Sequence, residues 1–340
     1  KENNDKKQIS KDFEYKFNNV TDEDIIRGIK LFGYDKNAKK FREYYEKKKD
    51  ETKTNEYTDM FKGKNILLIH AESIQNFTLN TSFNGVDVAP NLKKLASEGL
   101  YFSNFYAQES VGTSSDSEFT LSTSLMPASS GTVFVSYWDR EYETLQKLLK
   151  KQGYYTFSMH GNNCSFWNRN NAHKSLGYEK FYCYNKDFNI DETIGLGLSD
   201  KSFFKQSVEI MKNIKETEKG PYYGLLIMLT NHTPFSDLDL MDEYPTTIDV
   251  DINNQTITRN YLNGTTMGNY IRSVHYADEA LGEFINKLDE KGLLDNTVVV
   301  IYGDHDARLP KKDYNRLYNY DKTTDSVKDE DSEGYVNFDS

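Results

Sequence analysis

Asp304 and His305 stand directly after the apolar run NTVVVIYG (296–303), with Asp306 behind them. A carboxylate and an imidazole at the end of a buried strand form either a turn or one half of a metal site. Glu72 closes a second apolar run, NILLIHA (65–71), in the same way. Two carboxylates and one imidazole are hard or borderline ligands that suit Mn2+, Mg2+ or Zn2+. Neighbouring side chains on a strand point to opposite faces, so Asp304 and His305 can share one ion only in a turn beyond the strand. Asp306 carries no assignment from the sequence.

A nucleophile is offered by GTSSDSEF (112–119). Ser115 followed three residues later by Glu118 has the form of a capping box, which puts Ser115 at a helix N-cap and Ser114 just before it. A hydroxyl there faces the positive end of a helix and its free N–H groups, where an anion can sit. Beside a divalent cation that hydroxyl also loses its proton more readily. Thr113 takes the role if the register slips by one. HGNNCSFWNR (160–169) adds His160, a flat Trp167 surface and Arg169, which can hold a phosphate through two N–H groups. TNHTP (230–234) adds His232, able to bind substrate oxygens or carry protons. His70 lies two residues before Glu72, on the same side of a strand, and reads as packing or as support for the site. His173 and His275 read as structural or solvated. Each segment taken alone also has an ordinary reading as a loop or cap.

The elements that must position these residues alternate. Apolar strand-like runs at 64–73, 154–161, 221–235 and 296–305 each end in polar residues, and FSNFYAQ (102–108) reads as a further short strand. Helical patterns fall at 89–99, 143–154, 199–215 and 268–293, with GTSSDSEFTLSTSLM running from loop into helix. This alternation indicates an α/β fold with a mainly parallel central sheet flanked by helices, whose ligands bind beyond the carboxyl ends of the strands. Residues 1–20 read as a flexible arm, 21–24 as a helix start and 37–54 as a solvated charged helix. The reading continues with a polar loop or hairpin at 237–267 and an acidic tail at 321–340 in loop or disorder, leaving 21–320 as the catalytic domain.

The chain has 340 residues, 37% hydrophobic and 28% charged, with a net charge of −11. That balance describes a globular protein and argues against nucleic acid, which needs a basic face. An anionic substrate would need a local metal or a few placed arginines. The aromatic content of 14% fits sugar or glycerol contacts as well as a core. No apolar run reaches the roughly 18 residues of a membrane span. The two cysteines, Cys164 and Cys183, are too few for a disulfide scaffold; one bridge or two free thiols are both compatible. A bridge would stiffen the segment that carries Trp167.

Taken in order, Glu72-Ser73, GTSSDSEF, HGNN…FWNR, NHTPF and YGDH resemble the extracellular catalytic domain of the lipoteichoic acid synthase family. These are membrane-anchored phosphoglycerol transferases of Gram-positive bacteria within the sulfatase/alkaline phosphatase-like superfamily. The resemblance covers roughly residues 20 to 310. It implies a sulfatase-like fold and one Mn2+, with Mg2+ or Zn2+ as alternatives, held by Glu72, Ser114, Asp304 and His305. It further implies a nucleophile at Ser114, where the family has Thr, and substrate contacts from His160, Trp167, Arg169 and His232. The implied donor is a phosphatidylglycerol-type lipid and the implied acceptor a glycolipid or polyglycerophosphate, reached at the outer face of the cell membrane through an N-terminal anchor absent from this chain. Release as a soluble ectodomain is a second form. The family domain continues well past its Asp-His pair, whereas this chain ends 35 residues after His305, which implies a shortened or divergent member. A sulfatase activity is disfavoured, because the segment at Ser114 lacks the Pro and Arg of the C/S-x-P-x-R pattern. A phosphodiesterase, a phosphoethanolamine transferase and a non-catalytic glycerol-phosphate-binding relative are the competing readings.

Overall fold

The computed structural model describes residues 54–337. The expected arm at 1–20, the helix start at 21–24 and all but the last residue of the charged stretch 37–54 lie outside the described residues. Contacts divide the chain into 1–62 and 63–340, and the second unit holds the central sheet.

Five strands form the central sheet: β1 (Asn65–Ala71), β2 (Tyr155–His160), β3 (Lys180–Cys183), β4 (Tyr222–Ile227) and β5 (Thr297–Gly303). Their spatial order is β5-β1-β4-β2-β3, and every pairing is parallel. Strands covered on both faces need apolar side chains at successive positions, which is why β1 and β4 are continuous apolar runs. Alternation then divides the core. Leu67, Ile69 and Ala71 pack on one face with Asp200–Thr217 and Thr266–Glu290, while Leu68 packs on the other with Phe119, Ala172 and Leu176.

The helices used below are α1 (Pro90–Glu98), α2 (Ser114–Thr123), α3 (Leu145–Lys151), α4 (Arg169–Leu176), α5 (Asp200–Thr217), α6 (Thr266–Glu290) and α7 (Lys311–Asn319). Pro90 opens α1, where its missing N–H costs nothing. Thr144 caps α3 and Ser199 caps α5, each side chain accepting an N–H from the first turn.

Two expectations change. FSNFYAQ is not a strand: 102–108 is irregular, and Phe102, Phe105 and Tyr106 point into solvent. The fifth strand is instead β3, four residues long, at the sheet edge beyond β2. The acidic tail is not loop or disorder throughout. Tyr320–Asp321 pairs antiparallel with Ser326–Val327, and the Asn319 side chain bonds the backbone of Val336 through both its oxygen and its nitrogen. Within 237–267 a hairpin forms from Ile248–Ile252 and Gln255–Arg259.

Candidate active site

Register creates the first half of the site. Ala71 pairs with Gly303 in the β1–β5 ladder, so Glu72 and Asp304, one residue further on, emerge side by side. Gly303 is required by close approach: a Cβ there would meet the Ile74 carbonyl oxygen at 2.4 Å.

Asp304 is buried and held at both oxygens. Oδ1 accepts the N–H groups of Ser73 and His305, each at 2.8 Å. Oδ2 accepts from His70 Nε2 at 2.9 Å, and His70 Nδ1 is hydrogen-bonded to the Tyr302 hydroxyl at 2.8 Å. His70 therefore supports Asp304 as well as packing behind it. Ser73 adopts a left-handed backbone (φ 54°) and donates its hydroxyl to Glu72 Oε1 at 2.6 Å. Asn231 Nδ2 donates to the Glu72 carbonyl at 2.9 Å. His305 Nδ1–H donates to the Asp306 carbonyl at 2.8 Å. A carbonyl can only accept, so Nδ1 carries the proton of that bond and Nε2 is the nitrogen turned toward Ser114, Glu72 and Asp304. Asp306, unassigned in the sequence, thus orients His305 through its backbone, while its side chain caps the turn at the Arg308 N–H.

Ser114 completes the cluster. Its Oγ lies 3.4 Å from Glu72 Oε2 and 3.2 Å from His305 Nε2. His305 Nε2 lies 3.5 Å from Glu72 Oε1 and 3.3 Å from Asp304 Oδ2. Atoms sharing an ion at about 2.0–2.2 Å stand roughly 3.0–3.6 Å from one another. The spacing therefore fits a divalent cation, and Glu72, Asp304 and His305 each present a ligand atom within 4.8 Å of the others. Electrostatics agree. Burial, and then the charge of Asp304, push the Glu72 carboxyl well above the usual range. Burial pushes Asp304 upward too, but His70, His305 and the Ser73 N–H outweigh it and hold that carboxyl at about 2. Two buried carboxylates so placed favour a cation between them.

The approach to Ser114 differs from the capping-box expectation. The N-cap residue is Thr113, whose side chain makes no cap bond. Ser115 lies inside the first turn and donates its hydroxyl to the Gly112 carbonyl at 2.8 Å. Glu118 does not reach back; it is buried against Arg169 and His173. The N–H groups of Ser115, Asp116 and Ser117 are bonded to the Gly112 and Thr113 carbonyls, so they are not an open anion site. What shapes the turn is Asp116, whose Oδ2 accepts the N–H groups of Ser110 and Gly112. A Cβ at Gly112 would lie 2.3 Å from Asp116 Oδ1. Thr113 has φ 45°, a costly backbone for a β-branched residue, immediately before Ser114. Of the two adjacent hydroxyls, Ser114 Oγ reaches Glu72 and His305.

The expected substrate residues gather unevenly. His160 ends β2, buried, with Nδ1–H donated to the Ile227 carbonyl at 3.0 Å and Nε2 left without a partner. Burial, aided by the Arg169 charge, keeps its pKa well below the usual value, so the ring is neutral and Nε2 is an acceptor. Trp167 is half-buried on a short turn with φ 54° and packs partly on the core behind β1. Arg169 is 1% exposed and spends Nε and Nη2 on Glu118, leaving a buried Nη1 with no partner. His232 is partly exposed on the loop after β4, its Nδ1–H on the Thr233 carbonyl. Cys164 and Cys183 form a disulfide that ties the Trp167 segment to the end of β3. His275 bonds the Val88 carbonyl, away from the site residues. Sequence reasoning read Glu118 as a capping partner and His173 as structural or solvated, and passed over Asn231: their partners lie far along the chain, and a Glu three residues after a Ser looks like a cap.

A sulfatase family model matches residues 64–328. The chain belongs to the sulfatase family, with a five-stranded parallel sheet flanked by helices. Within that family it is 40% identical over 266 residues to lipoteichoic acid synthase of Staphylococcus aureus (strain USA300), an alignment covering 77% of this chain and 38% of that protein. The crystal structure of the lipoteichoic acid synthase LtaP from Listeria monocytogenes superposes with a TM-score of 0.67 at 32% identity, covering 76% of this chain and 60% of that one. The Streptococcus pyogenes phosphoglycerol transferase GacH, solved with sn-glycerol-1-phosphate, shares the fold (TM-score 0.53, 20% identity, 88% of this chain and 73% of that one). The chain thus spans well under half the length of its curated relative. Among the described residues no helix is long and apolar enough to cross a membrane.

Proposed function

We propose that this chain carries the catalytic site of a metal-dependent phosphoglycerol transferase, moving glycerophosphate from a phosphatidylglycerol-type lipid to a lipoteichoic-acid-type acceptor. The observation that carries the reading is the convergence of Ser114 Oγ with Glu72 and His305; buried His160 and Arg169 atoms that lack partners add to it. Similarity to lipoteichoic acid synthase supports the substrate class. Glu72, Ser114, Asp304 and His305 would hold the cation, and the donor set suits Mn2+, with Mg2+ or Zn2+ as rivals. When bound, it supplies Lewis-acid charge and lowers the pKa of a nearby hydroxyl.

The residues divide the remaining work. Ser114 Oγ attacks the phosphorus of the donor; the Oγ–P bond forms, the P–O bond to diacylglycerol breaks, and diacylglycerol leaves with a proton. Arg169 Nη1 donates to a phosphoryl oxygen as charge builds there. His160 Nε2 accepts a hydrogen bond from a glycerol hydroxyl, and Trp167 flanks the polyol. An acceptor hydroxyl then attacks the phosphorus of the phospho-Ser, the P–Oγ bond breaks, and His232 Nε2 takes the acceptor's proton and returns it to Ser114 Oγ. The Cys164–Cys183 bridge suits an oxidising compartment, such as the outer face of a cell membrane.

The test is release of diacylglycerol from fluorescent phosphatidylglycerol with Mn2+ supplied. Ser114→Ala should abolish release, and chelation should abolish it in the parent. Undiminished release by the Ser114 variant would sink the assignment. Glycerophosphate appearing only as a water-derived product, even with acceptor present, would replace transfer by a phosphodiesterase activity.

A further inference from the structure

Behind the candidate site, four buried side chains from three elements form one polar chain. Ser158 Oγ on β2 lies 2.8 Å from His173 Nδ1. His173 Nε2 lies 2.7 Å from Glu118 Oε2. Glu118 Oε1 accepts from Arg169 Nη2 at 2.7 Å and Nε at 3.0 Å. The proton positions follow from chemistry. Burial works to protonate Glu118, but the Arg169 charge and His173 overcome it and hold the carboxyl far below the usual range. An ionised Glu118 only accepts, so His173 donates through Nε2–H, and its Nδ1 accepts the Ser158 hydroxyl. Every atom from Ser158 to Arg169 Nε is matched.

The match stops at Arg169 Nη1, which is buried with no partner, as is His160 Nε2. Such atoms are rare in interiors and ask for a ligand. Glu118 lies one turn along α2 from Ser114, and Arg169 opens α4 after the segment that follows His160, so both unmatched atoms belong to the segments that carry the candidate site. A guanidinium on a flexible stem could turn any edge to an anion; here one edge is taken.

We infer that Glu118, braced by His173 and Ser158, is a positioning residue that fixes the Arg169 fork so that Nη1 is the edge offered to the substrate phosphoryl group. This rests on the reading of Arg169 as an anion donor. Glu118 touches no reacting atom in this scheme and acts through Arg169. A glutamine in its place keeps the shape but turns an N–H donor toward either Arg169 or His173 Nε2–H, and the guanidinium loses its fixed edge.

The experiment is equilibrium binding of sn-glycerol 1-phosphate to the manganese-loaded full chain, with manganese affinity measured separately. Glu118→Gln should bind the probe roughly 10-fold to 100-fold more weakly, the range for losing hydrogen bonds to a charged group, with manganese affinity unchanged. His173→Gln, whose amide can still donate to Glu118, should retain most of the affinity, and His173→Leu should lose it. Parental affinity in a folded Glu118→Gln, alongside loss in Arg169→Ala, overturns the positioning role and leaves the Arg169 reading standing. Parental affinity in Arg169→Ala overturns both. If Glu118→Gln does not fold, the His173 pair decides, and equal affinities there overturn the inference.

Discussion

Two glutamates, Glu72 and Glu118, are almost equally hidden from solvent, at 3% and 1% exposure, yet their surroundings are built on opposite rules. Glu118 has both oxygens matched by Arg169 and His173, and its carboxyl is held far below the usual range against the effect of burial. Glu72 has only the Ser73 hydroxyl at one oxygen and a long 3.4 Å contact to Ser114 at the other, with Asp304 beside it, and burial with that like charge drives it well above the range. Burial alone therefore does not decide charge; the neighbours do. The matched cluster spends its interactions on position. The unmatched one keeps its repulsion, which a cation or a reacting group can relieve.

The sharpest way to break this contrast is to truncate each glutamate. Glu118→Ala leaves a buried guanidinium without its counter-charge and should cost about 3–5 kcal/mol in urea unfolding. Glu72→Ala removes one of two repelling carboxylates, so in chelator-treated protein it should change stability by about 1 kcal/mol or less, or raise it. Adding Mn2+ at about 100 times its dissociation constant should stabilise the parent by about 2.7 kcal/mol and leave Glu72→Ala nearly unmoved. Equal costs for the two truncations would erase the distinction.

A second kind of rigidity lies beside the first. The disulfide joins residues 19 apart and closes the loop bearing Trp167. A loop of that length predicts a loss of about 3 kcal/mol when both cysteines become serine. If glycerol-phosphate affinity falls with it, covalent bracing serves the site; if only stability falls, the Glu118 network suffices to hold Arg169.

Asp200, at the start of α5, tests the contrast from another side. Its carboxylate accepts the N–H groups of Leu229 and Thr230, just before Asn231 and His232. Burial pushes its pKa up to about 6 despite those bonds. A raised carboxyl means the folded state binds the extra proton, so stability is fullest below the unfolded value near 3.8 and declines as pH rises through about 6. The decline is about 2–3 kcal/mol at one pKa unit per 1.36 kcal/mol. Asp200→Asn lacks it, so the stability advantage of parent over variant should shrink by that amount between pH 4 and pH 7. A pH-independent difference would show that the N–H bonds outweigh burial.

Much of this was legible in the sequence. Buried parallel strands need apolar side chains, so β1, β2 and β4 stood out; β5, a half-covered edge strand, stood out by its seven-residue apolar run, and the polar residues just past all four marked the sheet edge where Glu72, His160, His232 and the Asp304-His305 pair lie. β3 did not stand out, since four half-covered residues at an edge carry little pattern. FSNFYAQ misled for the opposite reason: aromatic residues favour strands, but these side chains are solvent-facing. Glu118 was misread because a Ser-x-x-Glu spacing is local, whereas its partner Arg169 is 51 residues away and only the fold brings them together. Asn231 sat inside a recognised segment, yet its bond to the Glu72 carbonyl spans 159 residues and depends on how β1 and β4 pair.

The smallest expected effect probes the far end of the matched chain. Ser158 is fully buried, and its hydroxyl is the partner of His173 Nδ1. Ser158→Ala removes one neutral hydrogen bond and leaves that nitrogen bare, a cost of about 1–2 kcal/mol. The bond from His173 to Glu118 survives, because Nε2–H stays the donor as long as Glu118 is ionised. Arg169 should therefore keep its place, and the affinity for sn-glycerol 1-phosphate should stay within about twofold of the parent while the unfolding midpoint drops. A large loss of affinity with little loss of stability would mean that the imidazole turns once its Nδ1 partner is gone. The matched cluster would then be a single cooperative unit extending to β2, rather than a carboxylate clamp with a passive support.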